Sequence, residues 1–175
     1  MYEIRLHSRG GQGGVTAAKL LAHAAFLDGK NATAAPFYGA ERRGAPVVSF
    51  IRIDDRPIKI YSQIRKPDLV IVLDMGVMDT VNVLDGLKEG GSVLINSPNP
   101  AEFEGYKTYN VDLTNIALSL DLVISGSPIL NTPLLGALAK LGLVSRESAR
   151  TAIKEAFKDE RNAEAAMKAY EEMKI

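Results

Sequence analysis

Residues 3–29 read EIRLHSRGGQGGVTAAKLLAHAAFLDG, and this stretch decides the fold of the 175-residue chain. Residues 2–7 alternate in polarity with the period of a strand that has one buried face. From Val15 to Leu27 apolar residues recur at helical spacing, and Asp28 and Gly29 end that pattern. The glycine-rich residues 10–14 therefore occupy a strand-to-helix turn. In α/β proteins such a turn lies at the carboxyl edge of the sheet, where ligands bind.

Strand signals continue after an irregular stretch that contains residues 36–46. Residues 47–53 and 58–61 are rich in β-branched and aromatic side chains and are separated by turn-forming residues 54–57, a pattern that predicts an antiparallel hairpin. LVIVLD, residues 69–74, has an apolar run without alternation, which is typical of a central strand covered on both faces.

Alternation of helices and strands predicts the fold class. Apolar residues at helical spacing predict a helix over 77–88, and strands follow at 92–96 and 106–112. Beyond Leu113 the pattern is helical, with Gly142 after one helix. Further helix signals are Ser145 as the cap of the next helix and Ala166, Met167 and Tyr170 as the apolar stripe of the last. We predict one α/β domain over residues 1–175, with three α/β/α layers and a mixed, mostly parallel sheet.

Composition excludes several kinds of chemistry. The chain has 21 basic and 21 acidic side chains, so its charge indicates neither a nucleic-acid surface nor an acidic tail. It has no cysteine, which excludes disulfides, thiolate zinc sites, cysteine-ligated iron–sulfur clusters and a cysteine nucleophile. No apolar run is long enough to span a membrane and the N-terminus lacks a signal-peptide core, so we expect a cytoplasmic protein. Abundant Glu, Lys and Arg without tryptophan fit a thermophile.

The glycine turn fits a phosphate cradle, because glycines ahead of a helix turn backbone N–H groups toward an anion. Gly10, Gly11, Gln12, Gly13 and Gly14 are thus the candidate binding loop. The P-loop pattern fails because no lysine follows the glycines at the required spacing, and the dinucleotide pattern lacks its third glycine. The alternative is a structural one, in which the glycines permit a tight turn and close packing of helix on strand.

A second unusual stretch, ERRG, contains Glu41, Arg42 and Arg43 in a loop rich in glycine and proline. Arginine pairs bidentately with carboxylates and phosphates, so these residues are candidates for an interface or for anion contact, and we favour the interface. His7 ends the first strand beside the glycine turn and His23 lies within the first helix; we expect structural roles for both. No catalytic residue and no metal-ligand set is identifiable by spacing.

Four stretches together carry a specific resemblance: EIRLHSRGGQGGVTAAKLLAHAA, FYGAERRGAPVVSFIRID, KPDLVIVLD and NTPLLGALAKLGLVS. They resemble the gamma subunit of pyruvate:ferredoxin oxidoreductase and of related 2-oxoacid:ferredoxin oxidoreductases. The resemblance covers residues 3–145. RGGQG with VTAA, joined to ERRGAPV about thirty residues later, is far more specific than a glycine motif alone. Ser8 departs from the pattern, since we expect glycine at this position in many relatives.

The resemblance implies a subunit without autonomous activity. Enzymes of this family oxidatively decarboxylate a 2-oxoacid, such as pyruvate or 2-oxoisovalerate, to an acyl-coenzyme A and pass electrons to ferredoxin. They use thiamine diphosphate, Mg²⁺, [4Fe–4S] clusters and coenzyme A. The first three are held mainly by the alpha, beta and delta subunits, so we expect the gamma-type chain alone to hold no cofactor. Neither nucleic acid nor a membrane is an expected partner.

Two roles for the glycine turn remain open under this resemblance, contact with coenzyme A or contact with another subunit. Two alternatives for the whole chain also remain. One is a stand-alone nucleotide or coenzyme A binding module. The other is a gamma-type subunit of an indolepyruvate or 2-oxoglutarate oxidoreductase.

Overall fold

The structure is a computed structural model that describes residues 1–37 and 44–175. Its strands are β1 (Tyr2–Arg9), β2 (Asn31–Phe37), β3 (Pro46–Asp54), β4 (Leu69–Val72), β5 (Ser92–Asn96), β6 (Lys107–Val111), β7 (Val123–Ile124) and β8 (Ser127–Pro128). Its α-helices are α1 (Gly14–Leu27), α2 (Leu113–Ser119), α3 (Asn131–Lys140), α4 (Arg146–Ala156) and α5 (Arg161–Glu172). A 3₁₀ helix, Met75–Asp79, follows β4.

The first six strands form one sheet in the order β2-β3-β1-β4-β5-β6, and β7 pairs with β8 separately. The pairs β1-β4, β4-β5 and β5-β6 are parallel, whereas β1-β3 and β2-β3 are antiparallel. The predicted α/β class with a mixed, mostly parallel sheet is confirmed. Because β1 is central and buried, the glycine turn that follows it lies in the middle of the carboxyl edge.

The predicted hairpin between residues 47–53 and 58–61 is wrong. Strand β3 pairs with β1 on one side and with the edge strand β2 on the other. Residues 58–61 form no strand, because the buried side chain of Arg52 draws this part of the chain across the sheet. Its Nη1 and Nη2 donate to the carbonyls of Ile60 and Ser62, while its Nε donates to Glu3. Pro36 is tolerated in β2 because an edge strand leaves one row of N–H groups unpaired.

The five α-helices of the described residues pack on one face of the sheet, around the larger of two hydrophobic clusters. The helix predicted at residues 15–27 is confirmed to within one residue, and the helical pattern beyond Leu113 is confirmed as α2 to α5, except that residues 123–124 and 127–128 form the short strands β7 and β8. Ser145 caps α4 as predicted, since its Oγ accepts a hydrogen bond from the Ser148 N–H. Asp28, at the end of α1, accepts hydrogen bonds from Ser145 and Ser148 and thereby joins α1 to the first turn of α4.

The opposite face of the sheet is covered, among the described residues, by turns and the 3₁₀ helix, where the predicted three-layer arrangement expects α-helices. The helix predicted over 77–88 is wrong: after the 3₁₀ helix, residues 80–91 form turns. Side chains here bond their own backbone, which competes with helix formation: Thr80 Oγ1 donates to the Val77 carbonyl and Asn82 Oδ1 accepts from the Leu84 N–H. Apolar residues at helical spacing still point to the sheet, where they form the smaller cluster. Turns, not an α-helix, therefore hold these apolar side chains against the sheet.

No α-helix within residues 1–37 and 44–175 is long and apolar enough to cross a membrane.

Candidate functional site

The turn after β1 needs glycine at several positions. Gly11 and Gly13 have φ angles of +95° and +87°, in the left-handed region that residues with a Cβ rarely adopt. A Cβ at Gly14 would overlap the hydroxyl of Ser8, so this glycine lets α1 begin close against β1. Helix α1 has no side-chain cap, and its first N–H groups lack intrahelical partners. The turn therefore combines close packing with a free helix N-terminus.

Gln12 fixes the shape of the turn. Its Oε1 accepts a hydrogen bond from the Arg9 N–H at 2.8 Å, and its own N–H donates to the Arg9 carbonyl at 3.2 Å. Its Nε2 donates to Asp74 Oδ2 at 3.0 Å, and its carbonyl accepts from the Leu130 N–H at 3.0 Å. One side chain and its backbone thus join the end of β1 to the loop after β4 and to the start of α3.

Asp74 is the acidic partner of the turn. Its Oδ2 accepts from Gln12 and lies 3.3 Å from Arg9 Nε, and its Oδ1 accepts from the Gly76 N–H at 2.9 Å. Strands β1 and β4 are neighbours whose connections leave toward opposite ends of the sheet, so the space between their ends is a topological switch point. The hydrogen bond between Gln12 and Asp74 spans that crevice.

Asn96 extends the same edge by one strand. Its Nδ2 donates to the carbonyl of Leu73 and to Thr114 Oγ1, both at 2.9 Å, and its Oδ1 accepts from the Thr114 N–H. Sequence reasoning missed both Asp74 and Asn96. The available signal was position, because each is a polar residue at or just past the carboxyl end of an apolar parallel strand.

The second predicted loop approaches the first. The Gly10 N–H donates to the Ala45 carbonyl at 2.9 Å, and the Gly44 N–H donates to the Gly10 carbonyl at 3.1 Å. Arg9 Nη1 also donates to the Gly44 carbonyl. The structure therefore brings the end of the ERRG loop against the glycine turn, whereas Glu41, Arg42 and Arg43 lie outside the described residues.

The two histidines have partners away from the glycine turn. His7 is buried in β1, and its Nε2 accepts a hydrogen bond from Arg5 Nε at 3.1 Å. Burial, with the Arg5 charge beside it, lowers the pKa of His7 to about 4. His23 Nε2 lies 2.6 Å from Glu155 Oε2 on the surface between α1 and α4. Neither of these side-chain partners belongs to the glycine turn.

The crevice brings together the Arg9 guanidinium, the Asp74 carboxylate and the first N–H groups of α1. Arg9 and the first N–H groups of α1 attract an anion. The Asp74 carboxylate beside them repels an anion, and the ion pair between Arg9 and Asp74 reduces that repulsion. Among residues 1–37 and 44–175, no three His, Asp or Glu side chains are placed to hold a metal ion. The described part of the site therefore suits positioning of a ligand or a neighbouring chain.

Replacing Gly13 by alanine should destabilise the chain by about 2 kcal/mol, from left-handed strain and from crowding of Asn131. A Cβ at Gly13 would lie 3.2 Å from Asn131 Cβ. The matched control is Gly11→Ala, which has the same strain but open space around the new Cβ and should cost about 1 kcal/mol. Urea unfolding of both variants gives the comparison. Equal costs at the two positions would show that the contact with Asn131 contributes nothing.

Fold and site together define the class of protein: an α/β module with a glycine turn at the switch point of a mixed sheet. The chain belongs to the pyruvate ferredoxin/flavodoxin oxidoreductase family, whose sequence pattern it matches over residues 3–172.

Similar proteins extend over almost the whole chain. It is 52% identical to pyruvate synthase subunit PorC of Methanocaldococcus jannaschii, covering 99% of this chain and 97% of that protein. It is also 52% identical to the pyruvate/ketoisovalerate oxidoreductases common subunit gamma of Thermococcus litoralis, covering 98% of this chain and 96% of that protein. The crystal structure of pyruvate oxidoreductase subunit PORC from Thermotoga maritima has a TM-score of 0.84 at 36% identity, covering 99% and 97% of the two chains.

Proposed function

We propose that this chain is the gamma-type subunit of a pyruvate:ferredoxin oxidoreductase, or a subunit shared with a 2-oxoisovalerate enzyme. The observation that carries the proposal is the end-to-end match, at half identity, to subunits named for those two activities. The complex would oxidatively decarboxylate a 2-oxoacid to an acyl-coenzyme A and reduce ferredoxin.

Within that complex the chain would be a positioning subunit. The sequence contains no cysteine, so it does not offer the thiolates that hold [4Fe–4S] clusters. The described residues also offer no group of three acidic or histidine side chains for Mg²⁺. Thiamine diphosphate, Mg²⁺ and the clusters would accordingly be held by alpha, beta and delta subunits, and the chain would act in the cytoplasm.

The glycine turn is the part of the chain that we propose to be functional. Gly10, Gly11, Gln12, Gly13 and Gly14 would contact either the anionic part of coenzyme A or another subunit, with Glu41, Arg42 and Arg43 beside them at the interface. Support for the first role comes from the uncapped start of α1 next to Arg9. Support for the second comes from the hydrogen bonds that hold the turn in one shape and join it to Gly44 and Ala45, since a rigid loop suits docking.

Reconstitution tests the proposal. Three preparations are compared: the chain alone, the chain with its three proposed partner subunits, and those partners without the chain. Coenzyme A-dependent oxidation of pyruvate and 2-oxoisovalerate is measured in each, with ferredoxin as acceptor. We expect no turnover by the chain alone, turnover by the four-subunit complex, and loss of that turnover when the chain is left out. Activity of the isolated chain, or full activity of the partners without it, would contradict the proposal.

The same preparations separate the alternatives. Preference for indolepyruvate or 2-oxoglutarate in a panel of 2-oxoacids would assign the chain to one of those enzymes instead. Saturable binding of coenzyme A or a nucleotide to the isolated chain, with no assembly with the partner subunits, would identify a stand-alone binding module. The uncapped start of α1 is the observation that favours this second candidate.

A further inference from the structure

A second concave site lies on the sheet face opposite the α-helices, apart from the glycine turn. It is an open cleft of about 580 Å³, within the size range of small-molecule sites. Its floor is formed by β1 and β3 and by the end of β2, and its far wall by residues 63–65 and 81–85. The proposed function uses none of its residues.

Arg5 places a buried positive charge on the floor of this cleft. Its side chain is only 8% exposed, and among the described residues no carboxylate lies within ion-pair distance of it. Its Nη2 donates to the carbonyls of Val83 and Asp85, at 2.7 and 2.6 Å, and its Nε donates to His7. These bonds leave both hydrogens of Nη1 without a partner in the described residues. Burial lowers the pKa of Arg5 although the Asp85 charge opposes that shift, so the guanidinium charge remains poorly solvated and would gain from a bound anion.

His7 adds a second donor beside Arg5. Because its Nε2 accepts from Arg5 Nε, the proton of the neutral ring lies on Nδ1. Nδ1 has no hydrogen-bond partner among residues 1–37 and 44–175. In those residues Ser49 Oγ is the only side-chain polar atom that is both inaccessible to solvent and without a partner, so Nδ1 must be accessible from the cleft. His7 lines the cleft and is 4% exposed, so a group that enters the cleft reaches a donor held in place by packing.

The other half of the cleft is apolar. Phe37 and Phe50 form a tilted aromatic pair with ring centroids 6.5 Å apart, and Val48 lies beside them. Phe37 is 52% exposed although it is large and apolar, so an occupant of the cleft would remove its ring from water. Two arginines, Arg5 and Arg65, and one carboxylate, Asp85, line the cleft, which gives the lining a net positive charge.

We propose that this cleft binds an organic carboxylate, with the carboxylate on Arg5 and His7 and an apolar body against the Phe37–Phe50 pair. Paired donors with a fixed charge recognise a carboxylate, and the aromatic wall selects acids that carry an apolar group. Asp85 at the rim disfavours dianions. The ligand is therefore a monocarboxylate with an aromatic or branched aliphatic body.

The test uses the full chain and 3-phenylpropanoate as the probe, with the ring resonances of His7 observed by NMR in a His23→Gln background that leaves one histidine. We expect saturable shifts of the His7 signals with a dissociation constant of about 1 mM. The uncharged 3-phenylpropanamide should bind at least ~10-fold more weakly, because it lacks the charge that Arg5 attracts. Acetate, which lacks the apolar body, should also bind at least ~10-fold more weakly.

Variants complete the test. Arg5→Gln should abolish binding, but it also removes the hydrogen bonds that hold residues 83–85. The deciding variant is therefore Phe37→Ala, because the side chain it removes is half-exposed. We expect Phe37→Ala to weaken binding at least ~5-fold with the fold intact. Arg65→Gln should weaken binding about twofold, whereas its exposed neighbour Lys66, replaced by glutamine, should leave the affinity unchanged. Equal affinity for the acid and the amide, or unaltered affinity in Phe37→Ala, would overturn the proposal. So would His7 shifts produced only by a partner subunit, which would make the cleft a protein contact.

Discussion

Replacing Gly136 by alanine is expected to lower the free energy of unfolding by about 3 kcal/mol, although alanine normally stabilises the interior of a helix by about 1 kcal/mol relative to glycine. Gly136 lies within α3 where that helix crosses α5. A Cβ at Gly136 would overlap the backbone carbonyl of Ala166 and lie 2.7 Å from its Cα. Backbone cannot rotate away as a side chain can, so the two helices must separate.

Chemical denaturation of Gly136→Ala measures this effect, and Gly142→Ala provides the matched control at the end of the same helix. Gly142 has a φ angle of +79°, and a Cβ there would meet no atom within 4 Å, so that variant carries backbone strain alone and should cost about 1 kcal/mol. A stabilised Gly136→Ala variant would show that α3 and α5 are not in close backbone contact at Gly136. Equal costs at the two sites would show that the helix crossing adds nothing.

Acidification from pH 7 to pH 5 should destabilise the chain by about 2 kcal/mol through His7 alone. The pKa of His7 is about 4 in the folded chain and 6.5 in the unfolded chain, because burial and the Arg5 charge disfavour the protonated ring. Between those two values the unfolded state binds a proton that the folded state does not. Stability therefore falls as the pH drops through 6.5, and the loss is complete, at about 3 kcal/mol, once the pH is below 4.

Urea unfolding at several pH values checks this slope in the wild type and in His7→Gln, whose amide can still accept from Arg5 and does not titrate. The variant should lose the slope between pH 7 and pH 5, whatever its stability at pH 7. His23→Gln, which leaves His7 in place, should keep it. Asp28 does not contribute to this slope. Partial burial raises the pKa of its carboxyl, but hydrogen bonds from Ser145 and Ser148 outweigh burial and lower the pKa overall, so the stability that Asp28 adds to the folded chain is lost only in more acidic solution. A slope that persists in His7→Gln would assign the effect to other groups.

The parts of the fold that could be predicted from sequence are those in which local pattern and tertiary contact agree. The alternation in β1, the apolar runs of β4 and β5 and the helical spacing in α1 each match the burial that the structure shows. Besides the local bonds of Thr80 and Asn82, contacts between distant parts of the chain contributed to the errors. Arg52 draws residues 60 and 62 away from β3, and Arg5 draws the carbonyls of residues 83 and 85 away from helical geometry. A pattern read along one segment carries no information about a side chain 80 residues away.

The candidate site was predictable only in part, for a similar reason. The glycine turn is a local motif, and its left-handed glycines agree with the residues placed there. Asp74 and Leu130 come to the turn from two other connections, Asn96 lies one strand further along the same edge, and only the strand order shows which strand ends are neighbours. The cleft over β1 and β3 had no sequence signal at all, since Arg5 and Phe50 become opposite partners only through the antiparallel register.

The unequal covering of the two sheet faces governs how the native chain opens. Among the described residues, five α-helices and a large cluster protect one face, whereas β4 and β5 on the other face are covered by turns and the 3₁₀ helix, which bring three buried apolar side chains onto four from the strands. Regions with few buried contacts open by themselves, at a free energy well below that of global unfolding, and exchange their amide hydrogens first. Each such excursion of residues 80–91 must break the bonds from Arg5 to the carbonyls of Val83 and Asp85. Opening of this cover is thereby linked to Arg5 on the cleft floor, so a ligand bound to Arg5, as proposed above, should change how often the cover opens.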